Sequence, residues 1–106
     1  MAEENVAVPA KAKIASVRNN KSKSFVVIWK KIKEAKGYEV QYALNKKFTK
    51  SKKTKAITSA SKVSLTVKKL KKGKTYYVRV RAYNNDSKGS KAYGKWSAVK
   101  KIKIKK

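Results

Sequence analysis

The side chains that could do chemistry in this 106-residue chain are almost all amines. Thirty-one basic residues stand against five acidic ones, His and Cys are absent, and the formal net charge is +26. Beyond the N-terminal stretch the acidic residues are Glu34, Glu39 and Asp86, which are scattered. Hydrolysis by paired carboxylates needs two carboxyl groups about 5 to 10 Å apart, and a divalent cation needs several oxygen ligands. We therefore expect no enzymatic activity, no cofactor and no metal site.

Lys rather than Arg carries the positive charge. The three Arg residues are Arg18, Arg79 and Arg81. Lys is a strongly hydrated point charge, whereas Arg makes the bidentate fork that recognises phosphates and base edges. One interpretation is a solvated surface that resists aggregation. The other is attachment to a polyanion such as teichoic acid, a glycosaminoglycan, nucleic acid or an anionic membrane.

Two Lys clusters are candidate polyanion contacts. The first comprises Lys46, Lys47, Lys50, Lys52, Lys53 and Lys55, and the second comprises Lys101, Lys103 and Lys105. Solvation is the alternative for each cluster, since Lys occurs in nearly every predicted turn. A platform for single-stranded nucleic acid would also need bases stacked on the outward side chains Tyr77 and Tyr83. No helix is predicted that could read a DNA groove, so we expect no sequence-specific DNA binding.

The elements that position these side chains are predicted to be seven short β-strands. Apolar residues alternate with polar ones in most of them, which is typical of strands with one buried face. The strands are predicted at residues 12–18, 24–30, 37–43, 52–58, 63–67, 76–83 and 95–105. Ile14 and Val17 are out of phase in the first strand, which predicts a bulge. The stretch 84–94 is rich in Asn, Ser and Gly and is predicted to be a hairpin loop.

Residues 70–83, with the sequence LKKGKTYYVRVRAY, contain the strand around which the rest is organised. Its Tyr and Val residues alternate with Arg79 and Arg81, so the two Arg residues lie on the outward face. The YGKWS stretch leads into the strand expected beside them. Stacking of Tyr93 and Trp96 on these guanidinium groups would stabilise the fold by about 0.5 to 1 kcal/mol per contact. Glu39 is a possible ion-pair partner of Arg81.

The chain resembles a fibronectin type III domain. Leu70, Gly73 and Tyr76 have the spacing of a tyrosine corner, and Trp29, the alternating Tyr38 strand and the YGKWS stretch fit the same pattern. A similar Trp-Ser stretch in cytokine-receptor relatives of this fold interleaves its aromatic rings with Arg side chains. The resemblance departs at Lys72, where the family often has Pro.

The resemblance implies an all-β, immunoglobulin-like sandwich of seven strands, in sheets of three and four. It covers residues 10–106, preceded by a linker at residues 1–9. The residues expected to be structural are Trp29, Tyr38, Leu70, Gly73, Tyr76, Arg79, Arg81 and Trp96. No apolar run reaches the length of a membrane span, and without Cys no disulfide is possible.

Three functions remain open at the level of sequence. The Lys-rich style is similar to type III repeats of Gram-positive bacterial surface proteins. It implies a monomeric spacer or adhesion module, extracellular or secreted, with neighbouring domains and an anionic wall polymer or host glycan as partners. The second is a dedicated polyanion-binding domain. The third is an engineered type III scaffold that binds a protein through its loops, for which the candidate contacts are Lys33, Lys36, Lys88 and Lys91.

Overall fold

The computed structural model describes residues 8–85 and 89–105, and its regular elements are β-strands. They are β1 (Ile14–Asn19), β2 (Phe25–Trp29), β3 (Gly37–Ala43), β4 (Lys53–Ile57), β5 (Ser64–Val67), β6 (Thr75–Asn85), β7 (Lys91–Tyr93) and β8 (Lys100–Lys103). Within the described residues no helix is long and apolar enough to cross a membrane. The predicted all-β sandwich is confirmed.

Two antiparallel sheets make up the sandwich. One has the order β1-β2-β5, and the other has the order β4-β3-β6-β7 with β8 also paired to β6. The prediction of sheets with three and four strands is wrong for the second sheet, which has five. β6 is eleven residues long. It pairs with β8 through residues 75–78 at its start and with β7 through residues 83–85 at its end.

The sheet has five strands rather than four because the segment after β6 forms two separate strands, β7 and β8, with an irregular stretch between them. The predicted loop at 84–94 is wrong at both ends, since β6 continues to Asn85 and the chain pairs again from Lys91. The predicted last strand is limited to Lys100–Lys103. Over residues 94–99 the backbone keeps irregular hydrogen bonds to β6, such as Ser97 N–H to the Val80 carbonyl at 2.8 Å. This path allows the intervening side chains to reach over the sheet.

The core lies between the two sheets and is built from the alternating apolar residues of β2, β3 and β6. Trp29, Tyr38 and Phe25 are its largest fully buried side chains. The rings of Trp29 and Tyr38 have centroids 5.5 Å apart. The Tyr38 hydroxyl accepts a hydrogen bond from Ile32 N–H at 3.1 Å and donates one to the Ala60 carbonyl at 2.9 Å. A single core residue therefore also fixes two loops.

The tyrosine corner predicted from the Leu70 spacing is present. The Tyr76 hydroxyl accepts a hydrogen bond from the Lys71 N–H at 2.9 Å. Gly73 has φ of +83°, a conformation that Gly adopts without steric cost, and its N–H donates to the Ile104 carbonyl at 2.7 Å. The corner thus joins the turn before β6 to the last residues of the chain.

The first strand contains the predicted irregularity. Its register with β2 shifts between Ile14 and Ser16, which is the signature of a β-bulge. Pro9 is buried, so the chain is packed against the domain one residue before the predicted start at residue 10.

Candidate functional site

The outward face of the five-stranded sheet carries a stack of rings and guanidinium groups. The Arg79 guanidinium carbon lies 4.2 Å from the ring centre of Phe48 and 4.3 Å from that of Trp96. The Arg81 guanidinium carbon lies 4.3 Å from the Trp96 ring and 3.7 Å from the Tyr93 ring. The order is therefore Phe48, Arg79, Trp96, Arg81, Tyr93, with Trp96 between the two cations. We call these five residues the Arg-aromatic ladder.

One donor edge of each guanidinium group, formed by Nε and Nη2, is occupied by a side chain of β3. Arg81 donates from Nε and Nη2 to Glu39 Oε1, at 3.0 and 2.8 Å. Arg79 donates from the same two atoms to Gln41 Oε1, with the Nε bond at 2.8 Å. The predicted partner of Arg81 is therefore present, and a neutral amide takes the equivalent position beside Arg79.

Arg79 lies in a partly buried environment beside another positive charge. Burial, and then the neighbouring charge of Arg81, lower the pKa of Arg79 from its ordinary value. Arg nevertheless stays protonated in proteins. A second carboxylate is not needed, because the rings on both sides of Arg79 offer their negative faces to its charge. The rings cover the faces of both guanidinium groups, and Glu39 and Gln41 occupy their Nε–Nη2 edges. The ladder therefore stabilises the sheet and closes these edges to a bidentate phosphate ligand.

The backbone on either side of Trp96 holds the ladder in place. The Ser97 hydroxyl accepts a hydrogen bond from Val80 N–H at 3.0 Å and donates one to the Ala98 carbonyl at 3.1 Å. Gly94 N–H donates to the Ala82 carbonyl at 2.9 Å. The Gly and Ser of the YGKWS stretch therefore bind to β6 on both sides of Trp96, which places the indole above Arg79 and Arg81.

Tyr83 is not the outward stacking platform that was considered for nucleic acid. It is 4% exposed, because its ring packs edge-on against Tyr93 at 6.3 Å between centroids. It also closes over Gly37, where a Cβ would lie 2.5 Å from the Tyr83 hydroxyl. Lys91, predicted as a loop contact, lies in β7 with its Nζ 4.6 Å from the centre of the Tyr83 ring.

A second feature of the outward face is a groove at the far end from Tyr83. Its lining consists of Lys46, Tyr77, Val99 and Lys101, and its volume is about 410 Å³. The structure thus brings together one residue from each of the two predicted Lys clusters. Val99 is one of the exposed large apolar side chains of the domain.

A third feature is a cleft where the two sheets part, beside the end strand β4. Five Lys side chains line it, together with two tyrosines and two leucines, around a volume of about 470 Å³. The Lys residues are Lys53, Lys55, Lys68, Lys69 and Lys71. We call these five residues the cleft lysines. Sequence reasoning assigned the first two to a cluster and missed the other three, although the run KKLKK around the tyrosine corner was visible.

The floor of the cleft is aromatic and largely buried. Tyr42 and Tyr76 are 6% and 5% exposed, and their ring centroids are 6.3 Å apart. Burial, and then the proximity of Tyr76, raise the pKa of Tyr42 above its ordinary value. The Tyr42 hydroxyl is therefore neutral at physiological pH and adds no negative charge to compete with an anion.

The remaining predicted contacts that lie within the described residues are solvent-exposed and dispersed. Lys33 and Lys36 lie between β2 and β3, and Lys88 lies outside the described residues. The others are exposed on the loop before β4, on β8 or just after it: Lys47, Lys50, Lys52, Lys103 and Lys105. Their role as polyanion contacts stays a prediction.

Within residues 8–85 and 89–105, no group of three or more His, Cys, Asp or Glu side chains is close enough together to hold a metal ion. The Glu39 carboxylate is engaged by Arg81.

The family model of the fibronectin type III domain matches residues 11–98. No curated protein sequence matches the chain.

Solved structures share the fold at low identity. The FN1–FN3 domains of chicken CNTN1 align with a TM-score of 0.70 at 22% identity, over 97% of this chain and 32% of that one. The FN5 domain of Drosophila Lar aligns at 0.70 and 21%, over 93% and 99% of the two chains. The third fibronectin III domain of human KIAA0343 protein aligns at 0.73 and 18%, over 100% and 90%. The chain thus spans about a third of the CNTN1 fragment and nearly all of the single-domain structures.

Proposed function

The chain belongs to the fibronectin type III domain family, a family of structural and interaction modules, and we propose that it serves as a non-catalytic spacer or adhesion unit. We propose further that its parent is a multidomain bacterial protein that is secreted or displayed on the cell surface. Its neighbouring domains are the first class of partner. Anionic wall polymer or host glycan is the second. The module acts as a monomer held close to the polymer by its charge.

One observation carries this proposal: the two sheet Arg residues are committed to the ladder, whereas the Lys side chains are exposed on loops and strands throughout the domain. Exposed Lys produces a long-range cationic field that attracts polyanions without selecting among them. The ladder in turn stiffens the face of the sheet, which suits a spacer. Lys on the end strands β4 and β8 also opposes edge-to-edge pairing between copies.

The proposal is tested by binding the isolated domain to teichoic acid, heparin and single-stranded DNA over about 0.05 to 0.5 M salt, where log affinity falls linearly with log salt. We expect weak binding to all three polymers, similar slopes, and release near physiological salt. Retention of a single polymer at that salt would contradict a generic field and indicate a dedicated polyanion-binding domain.

A further inference from the structure

The cleft lysines lie on and beside β4, an end strand of the five-stranded sheet. β4 ends the order β4-β3-β6-β7, so within the described residues no strand pairs with its outer side. The outer side of an end strand presents N–H and C=O groups that can pair with another extended chain. Binding by strand addition uses such an edge for affinity and adjacent side-chain sites for specificity.

The register of β4 directs two of the cleft lysines toward the interior side. Lys53 is directly opposite Tyr42, and Lys55 is directly opposite Val40. Residues directly opposite in a paired ladder point to the same face of the sheet, and Tyr42 and Val40 point into the core. Lys53 and Lys55 therefore point to the cleft side of β4, while Thr54 lies on the other face with Gln41.

The spacing of these charges matches that of an added strand. Residues two apart in a strand are separated by about 6.8 Å, so Lys53 and Lys55 repeat at the pitch of alternate side chains in a neighbouring strand. Lys68, Lys69 and Lys71 face the same cleft from the turn before β6. A strand placed on β4 would thus direct every second side chain toward a row of ammonium groups.

The opposite edge of the sheet shows what a closed edge looks like. The Asn19 side chain donates from Nδ2 to the Lys103 carbonyl at 2.9 Å and accepts at Oδ1 from the Lys105 N–H at 2.9 Å. Asn19 thereby occupies the backbone at the end of β8 as an added strand would. Beside β4 the structure instead shows an open cleft with an aromatic floor.

We propose that β4 and the cleft lysines form a docking site for an extended acidic peptide segment, with Asp or Glu at alternate positions, which adds to the sheet as a sixth strand. A carboxylate peptide is favoured over a phosphate or sulfate polymer because only a peptide also pairs with the backbone of β4. The same charges repel a second copy of this cationic chain. The inference goes beyond the proposed attachment to anionic polymers and does not depend on it.

The first test uses an acetylated and amidated peptide of about ten residues that alternates Glu with Thr, titrated into the isotope-labelled domain at about 0.15 M salt. We expect amide NMR shifts centred on β4. Two further peptides carry backbone N-methyl groups on every second residue. In one peptide the methyl groups block the N–H groups of one strand edge, and in the other they block those of the opposite edge. Strand addition requires that one N-methylated peptide binds and the other does not. Equal binding of both would overturn the proposal.

The second test uses matched charge reversals. Lys53→Glu/Lys55→Glu alters the cleft side of β4, and Lys101→Glu/Lys103→Glu alters an equivalent alternating pair on β8; all four side chains are exposed. We expect the β4 pair to weaken peptide binding about tenfold or more and the β8 pair about threefold or less. Equal losses would show that only net charge matters and would overturn the site.

Heparin provides the third arm. If it shifts the β4 amides more strongly than the peptide does, the cleft is a polysaccharide site and strand addition is wrong. The N-methyl contrast is independent of the polymer salt slopes, so failure of this inference and failure of the proposed function can be told apart.

Discussion

The guanidinium carbon of Arg81 lies 4.3 Å from the ring centre of Trp96. Trp96 is outside the regular strands, in a segment whose backbone makes only irregular hydrogen bonds to β6. The contact exists because Ser97 and Gly94 bind β6 on either side of the indole. Arg79 approaches the same ring from the other side at 4.3 Å. One aromatic side chain therefore separates two like charges that would otherwise be neighbours on one strand.

Trp96→Ala should destabilise the domain by roughly 1 to 2 kcal/mol beyond the loss of ring burial, because two cation–π contacts of about 0.5 to 1 kcal/mol each are lost. The free energy of unfolding in urea measures this effect. Tyr77→Ala is the matched control, since Tyr77 is on the same face of β6 but outside the ladder. An equal loss for both variants would mean that the ladder adds nothing beyond apolar burial.

Tyr76→Phe should cost about 1 to 2 kcal/mol, because the Lys71 N–H loses its acceptor while the ring is retained. Tyr38→Phe should cost more, since that hydroxyl makes two hydrogen bonds. Thermal unfolding followed by circular dichroism gives both values. Tyr77→Phe serves as the reference. If Tyr38→Phe lowered the stability less than Tyr77→Phe does, the hydrogen-bond argument would be refuted.

Alkaline pH should separate the wild type from Tyr42→Phe. Burial raises the pKa of Tyr42 in the folded state, so the neutral phenol is favoured by folding. The resulting stabilisation is present below the unfolded pKa of about 10 and is lost as the pH rises through the folded pKa. Lys residues titrate in the same range in both proteins, so the difference between their unfolding free energies isolates Tyr42. It should be constant below about pH 9 and should shift in favour of Tyr42→Phe above about pH 10. A flat difference would contradict the prediction.

Salt should stabilise this domain. Its net charge of +26 is self-repelling, and the Debye length falls from about 30 Å at 0.01 M to about 8 Å at 0.15 M ionic strength. We expect the unfolding free energy to rise by an amount on the order of 1 kcal/mol over this range. The Lys101→Glu/Lys103→Glu variant has less repulsion and should gain less. A fall in stability with NaCl would show that attractive pairs such as Glu39 with Arg81 outweigh the repulsion.

Much of the fold could be predicted because it depends on local alternation. β2 and β3 alternate apolar and polar residues with the period of a strand, and a hydrophobic core can form only on the face that this period defines. The spacing of Leu70, Gly73 and Tyr76 predicted the tyrosine corner for a similar reason, since the hydrogen bond to Lys71 spans five residues. The stacking of Trp96 on the Arg pair followed from the expectation that neighbouring strands place these residues side by side.

The amino-acid sequence by itself determined most of the strand pattern, the cationic charge and two of the three aromatic partners of the Arg residues, Tyr93 and Trp96. The third partner, Phe48, appeared only in the structure. The tertiary structure decided what depends on contacts between distant segments. It assembled the cleft lysines from β4 and the turn before β6, because the two sheets part there, and it buried Tyr83 beneath Tyr93 and over Gly37. Lys53 and Lys55 point to the cleft rather than outward through their register with β3. Register is a property of the paired strands, and no spacing within a single strand contains it.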